Sequence, residues 1–279
     1  NNAPHGKEVF RLHPYGRCST ATADDLTLTR GIKWRGRGEA ATIGVLFIHG
    51  FSVTPASFHA WCSVLHREHG YTVCAPLLPG HASSPAEMER LSGPALLAFV
   101  CDAYDELRRE CRAVVVVGIS MGGALALQLA SLRRDVAHVF ALAPAIFPVP
   151  LLSLAMAVRL GALLRAVGVR YWFQVAGDMK AGGFELGYNR VPLTALEELF
   201  GMMQSTQAAL PSVACPVTLV SGTVDHEVPV SRVPEIFDRL GTASESKRLI
   251  WLENSYHEIP RESDAPLVLQ SIIDVLCTL

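Results

Sequence analysis

The stretch from Ala113 to Leu129, AVVVVGISMGGALALQL, allows few folds. Four consecutive valines form a strong β segment that runs into Gly118-Ile119-Ser120-Met121-Gly122 and then into the helix formers Ala, Leu and Gln. The order is strand, sharp turn, helix. A serine at the apex of such a turn has its hydroxyl pushed clear of the sheet, and the amide that follows it opens a helix N-terminus. Gly118 and Gly122 lack the Cβ atoms that would clash where strand and helix approach each other.

The rest of the chain repeats this rhythm. Val45-Leu46-Phe47-Ile48 is a short apolar run, the pattern of a strand buried on both faces of a parallel sheet, and it ends in His49-Gly50-Phe51. A helix is predicted over 57–69, a strand over 71–78, a helix over 94–111 and a strand over 136–143. Pro79-Gly80-His81 is a turn, and His49 and His81 read as residues that structure their loops. After residue 213 come strands at 217–220 and 247–252 and helices at 233–240 and 266–276. Residues 1–42 read as one or two strands at a sheet edge. Alternating strands and helices with short connections predict an α/β fold, a mostly parallel twisted sheet with right-handed crossovers and flanking helices.

Between 145 and 213 the rhythm breaks. Residues 151–169 and 194–207 read as helices, with Tyr171-Trp172-Phe173 between them. The first run is apolar enough to suggest a membrane span, but Arg159 and Arg165 within it make insertion costly. The segment is therefore predicted to be a small helical cap inserted into a core made of residues 1–144 and 214–279. No integral membrane segment is expected.

With a formal charge of −2 the chain has no basic footprint for nucleic acid, so small neutral substrates are the expectation. Its seven cysteines are scattered, without C-x-x-C pairs or metal-like spacing, and read as buried free thiols. That pattern fits a cytoplasmic protein. The start at Asn1 without methionine leaves an exported, processed form open, although no secretory apolar region is visible.

A serine hydroxyl is a weak nucleophile at neutral pH and needs a base, and the base needs an acid to orient it. Asp225 follows the strand at 217–220, and His257 follows the strand at 247–252. In a parallel sheet both turns open on the edge that carries Ser120. His257 is then the expected base, Asp225 its orienting acid, and the amides of Phe51 and Met121 the expected oxyanion donors. No metal or organic cofactor is required. Of the neighbours, Glu227 is expected to point elsewhere once Asp225 faces the histidine, and Glu258 to be structural.

His49-Gly50-Phe51, Gly118 to Gly123, Gly222 through Asp225 to Pro229, and Leu252 through His257 together resemble the α/β-hydrolase superfamily. Within it they look most like small bacterial carboxylesterases and monoacylglycerol lipase-like enzymes. The resemblance implies the α/β-hydrolase fold, Ser120, Asp225 and His257 as catalytic triad, and Phe51 with Met121 as oxyanion hole. It implies hydrolysis of esters with short to medium acyl chains, monoacylglycerols included. One departure is Tyr256, where many relatives have glycine before the histidine. Amide hydrolysis, acyl transfer to an alcohol and ligand reception without turnover are compatible with the same residues. The sequence does not address oligomeric state.

Overall fold

The computed structural model describes residues 8–14, 18–148, 161–173 and 178–279. Its strands are β1 (Phe10–Leu12), β2 (Cys18–Thr20), β3 (Ile32–Trp34), β4 (Ile43–Ile48), β5 (Thr72–Ala75), β6 (Ala113–Ile119), β7 (His138–Leu142), β8 (Tyr171–Phe173), β9 (Glu185–Gly187), β10 (Arg190–Pro192), β11 (Val217–Gly222) and β12 (Lys247–Leu252). The helices are α1 (Ala23–Leu28), α2 (His59–Arg67), α3 (Pro85–Met88), α4 (Gly93–Glu110), α5 (Met121–Leu132), α6 (Gly161–Ala166), α7 (Leu193–Ala209), α8 (Val233–Arg239) and α9 (Ala265–Leu276).

Seven strands form one sheet in the order β12-β11-β7-β6-β4-β5-β3. All neighbours in it are parallel except β3, which runs antiparallel to β5 at the edge. Every residue of β4 and β11 is buried, as expected for strands covered by helices on both faces. This is the α/β-hydrolase fold, with the central helix α5 following the central strand β6.

Helix α5 is buried on all sides from Met121 to Ala130, so its sequence shows no amphipathic stripe. Its one polar side chain in that run is satisfied: Gln128 Nε2 donates to the Met202 carbonyl at 3.1 Å and to Thr206 Oγ1 at 2.6 Å. Those partners lie on α7, so a buried hydrogen bond fastens part of 145–213 to the core.

Of the described N-terminal strands, β3 lies at the edge of the main sheet as expected, while β1 and β2 form a separate sheet with β9, in the order β2-β1-β9. Three-residue strands carry too little pattern to reveal a partner some 175 residues away. The stretch 145–213 likewise holds strands β8, β9 and β10 as well as helices α6 and α7. The helix expected over 151–169 lies outside the described residues as far as 160, and its remainder forms α6. Among the described residues, no helix is long and apolar enough to cross a membrane.

All seven cysteines are free; five are buried, while Cys18 and Cys277 are exposed.

Candidate active site

The loops after β4, β6, β11 and β12 all open at the same edge of the sheet, because these strands are parallel. Ser120 stands at the first residue beyond β6 with φ 55° and ψ −118°, a backbone state that an L-residue adopts only when its surroundings impose it. They do so here. A Cβ on Gly118 would run into the Gly122 carbonyl, and one on Gly122 into the Ile48 carbonyl, so the strand-to-helix turn closes only with glycine at both places. The Ser120 amide donates to the Leu142 carbonyl at 2.9 Å, and its carbonyl accepts from the amides of Ala124 and Ala145.

Met121 is the first residue of α5, where the opening amides have no carbonyl one turn back. Phe51 lies in the loop after β4, directly beyond Gly50, whose position abuts the Cβ of Ser120. Two imidazoles shape that loop. His49 donates from Nδ1 to the Gly50 carbonyl at 2.9 Å and accepts the Leu78 amide on Nε2. His81 donates from Nδ1 to the Pro79 carbonyl and accepts the Ser52 amide on Nε2 at 3.1 Å. Ser52, next to Phe51, sits at φ 62°, and the His81 bond holds it there.

Both imidazoles are therefore neutral Nδ1–H tautomers, and burial pushes His81 down to about 4 and His49 well below the ordinary histidine value. The unfolded chain takes up a proton on each near pH ~6.5. The sign follows: stability is full above that pH and is lost as pH falls toward the folded value, with His81 alone contributing a few kcal/mol. Equilibrium denaturation at about pH 7 and about pH 5 should show this loss, and a His81→Gln variant should show a shallower one. Equal slopes in the two proteins would refute the assignment.

Asp225 and His257 meet as the spacing predicted. Asp225 Oδ2 accepts from His257 Nδ1 at 2.8 Å, and Asp225 Oδ1 accepts the amides of Glu227 and Val228 at 2.8 and 2.9 Å. The two side chains are 0% and 1% exposed, so the pair operates away from bulk water. Burial alone would raise the Asp225 pKa, but His257 and the two amides outweigh it, and the net direction is down. For His257 burial pulls down, while the carboxylates of Asp225 and Glu227 pull harder, so its pKa rises well above the ordinary value.

With Nδ1 engaged, Nε2 is left buried and without a hydrogen-bond partner, Ser120 included. One expectation fails here. Glu227 does not point away: its Oε2 lies 3.6 Å from His257 Nε2. The turn in which Asp225 caps the amides of residues 227 and 228 folds the chain back, carrying the Glu227 side chain round to the other side of the ring.

Sequence reading also missed Asp178 and Glu262. Asp178 binds His226 through both carboxylate oxygens, to the amide at 2.9 Å and to Nδ1 at 2.6 Å, while its carbonyl accepts the amides of His257 and Glu258. Glu262 accepts the amides of Tyr256, Lys180 and Ala181. Together they bind the residues after 177 to the histidine loop. No spacing rule marks Asp178, since its partners lie more than 40 residues away. The Tyr256 ring packs edge-on against His226 at 4.9 Å. Among the described residues, no group of three or more His, Cys, Asp or Glu side chains is arranged to hold a metal ion.

A family model described as "Alpha/beta hydrolase family" matches residues 45–270. The thermostable monoacylglycerol lipase of Bacillus sp. (strain H-257) is 32% identical over 237 residues, covering 85% of this chain and 91% of that protein. A solved structure of the metagenome-derived lipolytic enzymes LipS and LipT superposes with a TM-score of 0.81 at 28% identity, covering 90% of this chain and 98% of the other. The monoacylglycerol lipase of Paleococcus ferrophilus superposes with a TM-score of 0.73 at 20% identity, covering 89% and 98%, and speaks to the fold.

Proposed function

The chain belongs to the alpha/beta hydrolase family, and on that premise we propose that it is a serine hydrolase that cleaves carboxylic esters, monoacylglycerols with short to medium acyl chains among them. The observation that carries the reading is the Asp225–His257 bond at 2.8 Å at the sheet edge that also bears the strained Ser120. Names of lipolytic relatives support the ester bond as target.

The reaction follows from the atoms. Asp225 holds the proton on Nδ1, so the Nε2 lone pair is free to take the Ser120 proton as Oγ attacks the ester carbonyl. The oxyanion is received by the amides of Phe51 and Met121, each worth roughly 3 kcal/mol to the transition state. The imidazolium returns its proton to the leaving alcohol, and water then cleaves the acyl enzyme by the same path in reverse order of roles. We read residues 145–213 as a cap that shields the acyl chain. Two contacts support this: β9 pairs with β1, and the Tyr188 amide donates to the Ser52 carbonyl at 3.0 Å, beside the oxyanion loop.

A fluorophosphonate probe followed by mass spectrometry of the modified peptide tests the assignment. Modification at Ser120, with release of fatty acid from monobutyrin and monocaprylin outpacing cleavage of matched aminoacyl amides, is the expected result. Absence of label at Ser120 together with absence of ester turnover would overturn it, and faster amide cleavage would replace the ester reading.

A further inference from the structure

His257 is approached by carboxylates from both edges of its ring. Asp225 takes Nδ1, and Glu227 Oε2 lies 3.6 Å from Nε2 on the opposite edge. The ring is 1% exposed and Nε2 has no hydrogen bond, whereas the Glu227 side chain is 34% exposed. Glu227 thus stands between the buried nitrogen and solvent, beside the atom that must exchange protons with Ser120 and with the departing alcohol.

We propose that Glu227 is a positioning residue that pairs with Nε2 of protonated His257 and thereby sets the lower pH limit of hydrolysis. The proposal rests on the reading of His257 as the base. An imidazolium cannot take the Ser120 proton, so a neighbour that favours it delays the onset of activity to higher pH. The same neighbour steadies the imidazolium once the proton has been transferred.

The charged groups around the ring can be assigned one by one. Asp225 is committed to Nδ1 and to two amides. Glu258, from the ring's own turn, is buried, and that burial and then Glu185 push its pKa well up, toward the neutral form. Asp178 spends its carboxylate on His226 and meets the His257 turn only through its carbonyl. Arg261 pairs with Glu185. Glu227 is the carboxylate left to act on Nε2. At 3.6 Å the two groups titrate as a pair.

Glu227→Gln keeps the size of the side chain and removes the charge. The acid limb of kcat/KM on p-nitrophenyl butyrate should move down by about one pH unit, leaving the variant, one unit below the native midpoint, roughly fivefold more active relative to its own maximum than the native protein. An NMR titration of the His257 ring, assigned by its loss in His257→Asn, should move by the same amount. An unmoved ring titration overturns the pairing, and a moved ring with an unmoved acid limb overturns the role in setting the pH limit. Failure of the hydrolase reading would be seen separately, as missing Ser120 label and missing ester turnover in the native protein.

Discussion

Ser120→Ala is expected to lower ester turnover by at least about ten-thousandfold while the protein stays folded, because a triad acts as a unit and loses nearly everything with its nucleophile. What survives is the rate supported by the oxyanion amides and substrate binding alone. The fold should tolerate the change. Ala143 already occupies positive φ at 40° in the neighbouring loop, and alanine at Ser120 replaces one small side chain by another in the same strained state. Thermal melting, turnover of monobutyrin and probe labelling on the same preparation give the answer. A variant that melts like the native protein and keeps a tenth of its turnover would end the serine mechanism.

The largest stability effect is expected from Arg261→Met. Glu185 is fully buried and faces the Arg261 guanidinium, which also donates from Nη2 to the Ala56 carbonyl at 3.0 Å. Ser57 Oγ donates to the other Glu185 oxygen at 3.1 Å. Removing the arginine strands a buried carboxylate, which costs about 3–5 kcal/mol. Burial already pushes the Glu185 pKa up, with Arg261 opposing it, so the variant raises it further. A carboxyl whose folded pKa exceeds its unfolded one destabilises most above the folded value, and the penalty fades as pH falls below it. The gap between native and variant in urea denaturation should therefore narrow from about pH 8 to about pH 5, whereas the gap left by losing an ordinary surface ion pair, whose carboxylate stays ionised across that range, would stay constant. The double variant Glu185→Gln with Arg261→Met should recover most of the stability, since neither charge is then buried alone. A pH-independent gap, or a double variant as unstable as the single one, would contradict the account.

The elements legible in the sequence share a property: their pattern is local and strong. The valine run of β6 and the apolar run of β4 have one reading each, and the Ser120 turn is enforced by glycines that are its immediate neighbours. The meeting of Asp225 and His257 is legible for a related reason. Both follow parallel strands paired in register, Val217 with Lys247 through Gly222 with Leu252, so the two loops must emerge side by side.

Other features were out of reach. Strands β1 and β2 have three residues each, and whether such a strand joins the main sheet or a small one with β9 depends on partners elsewhere in the chain. Asp178 gives no sequence sign of gripping the histidine loop. Glu185 looks like any surface acid until Arg261 and Ser57 are seen around it.

The sequence by itself determined the layered α/β architecture, the sharp strand-to-helix elbow at Ser120 and the order in which the loops carrying Ser120, Asp225 and His257 leave the sheet, because strand burial, helix propensity and glycine sterics act over a few neighbouring residues. Only the tertiary structure decided which carboxylate meets Nδ1 of His257, which one lies near Nε2, and which distant residues bind the histidine loop. Those outcomes depend on side-chain directions set by contacts between distant segments, and a shift of one residue in a loop reverses where a side chain points.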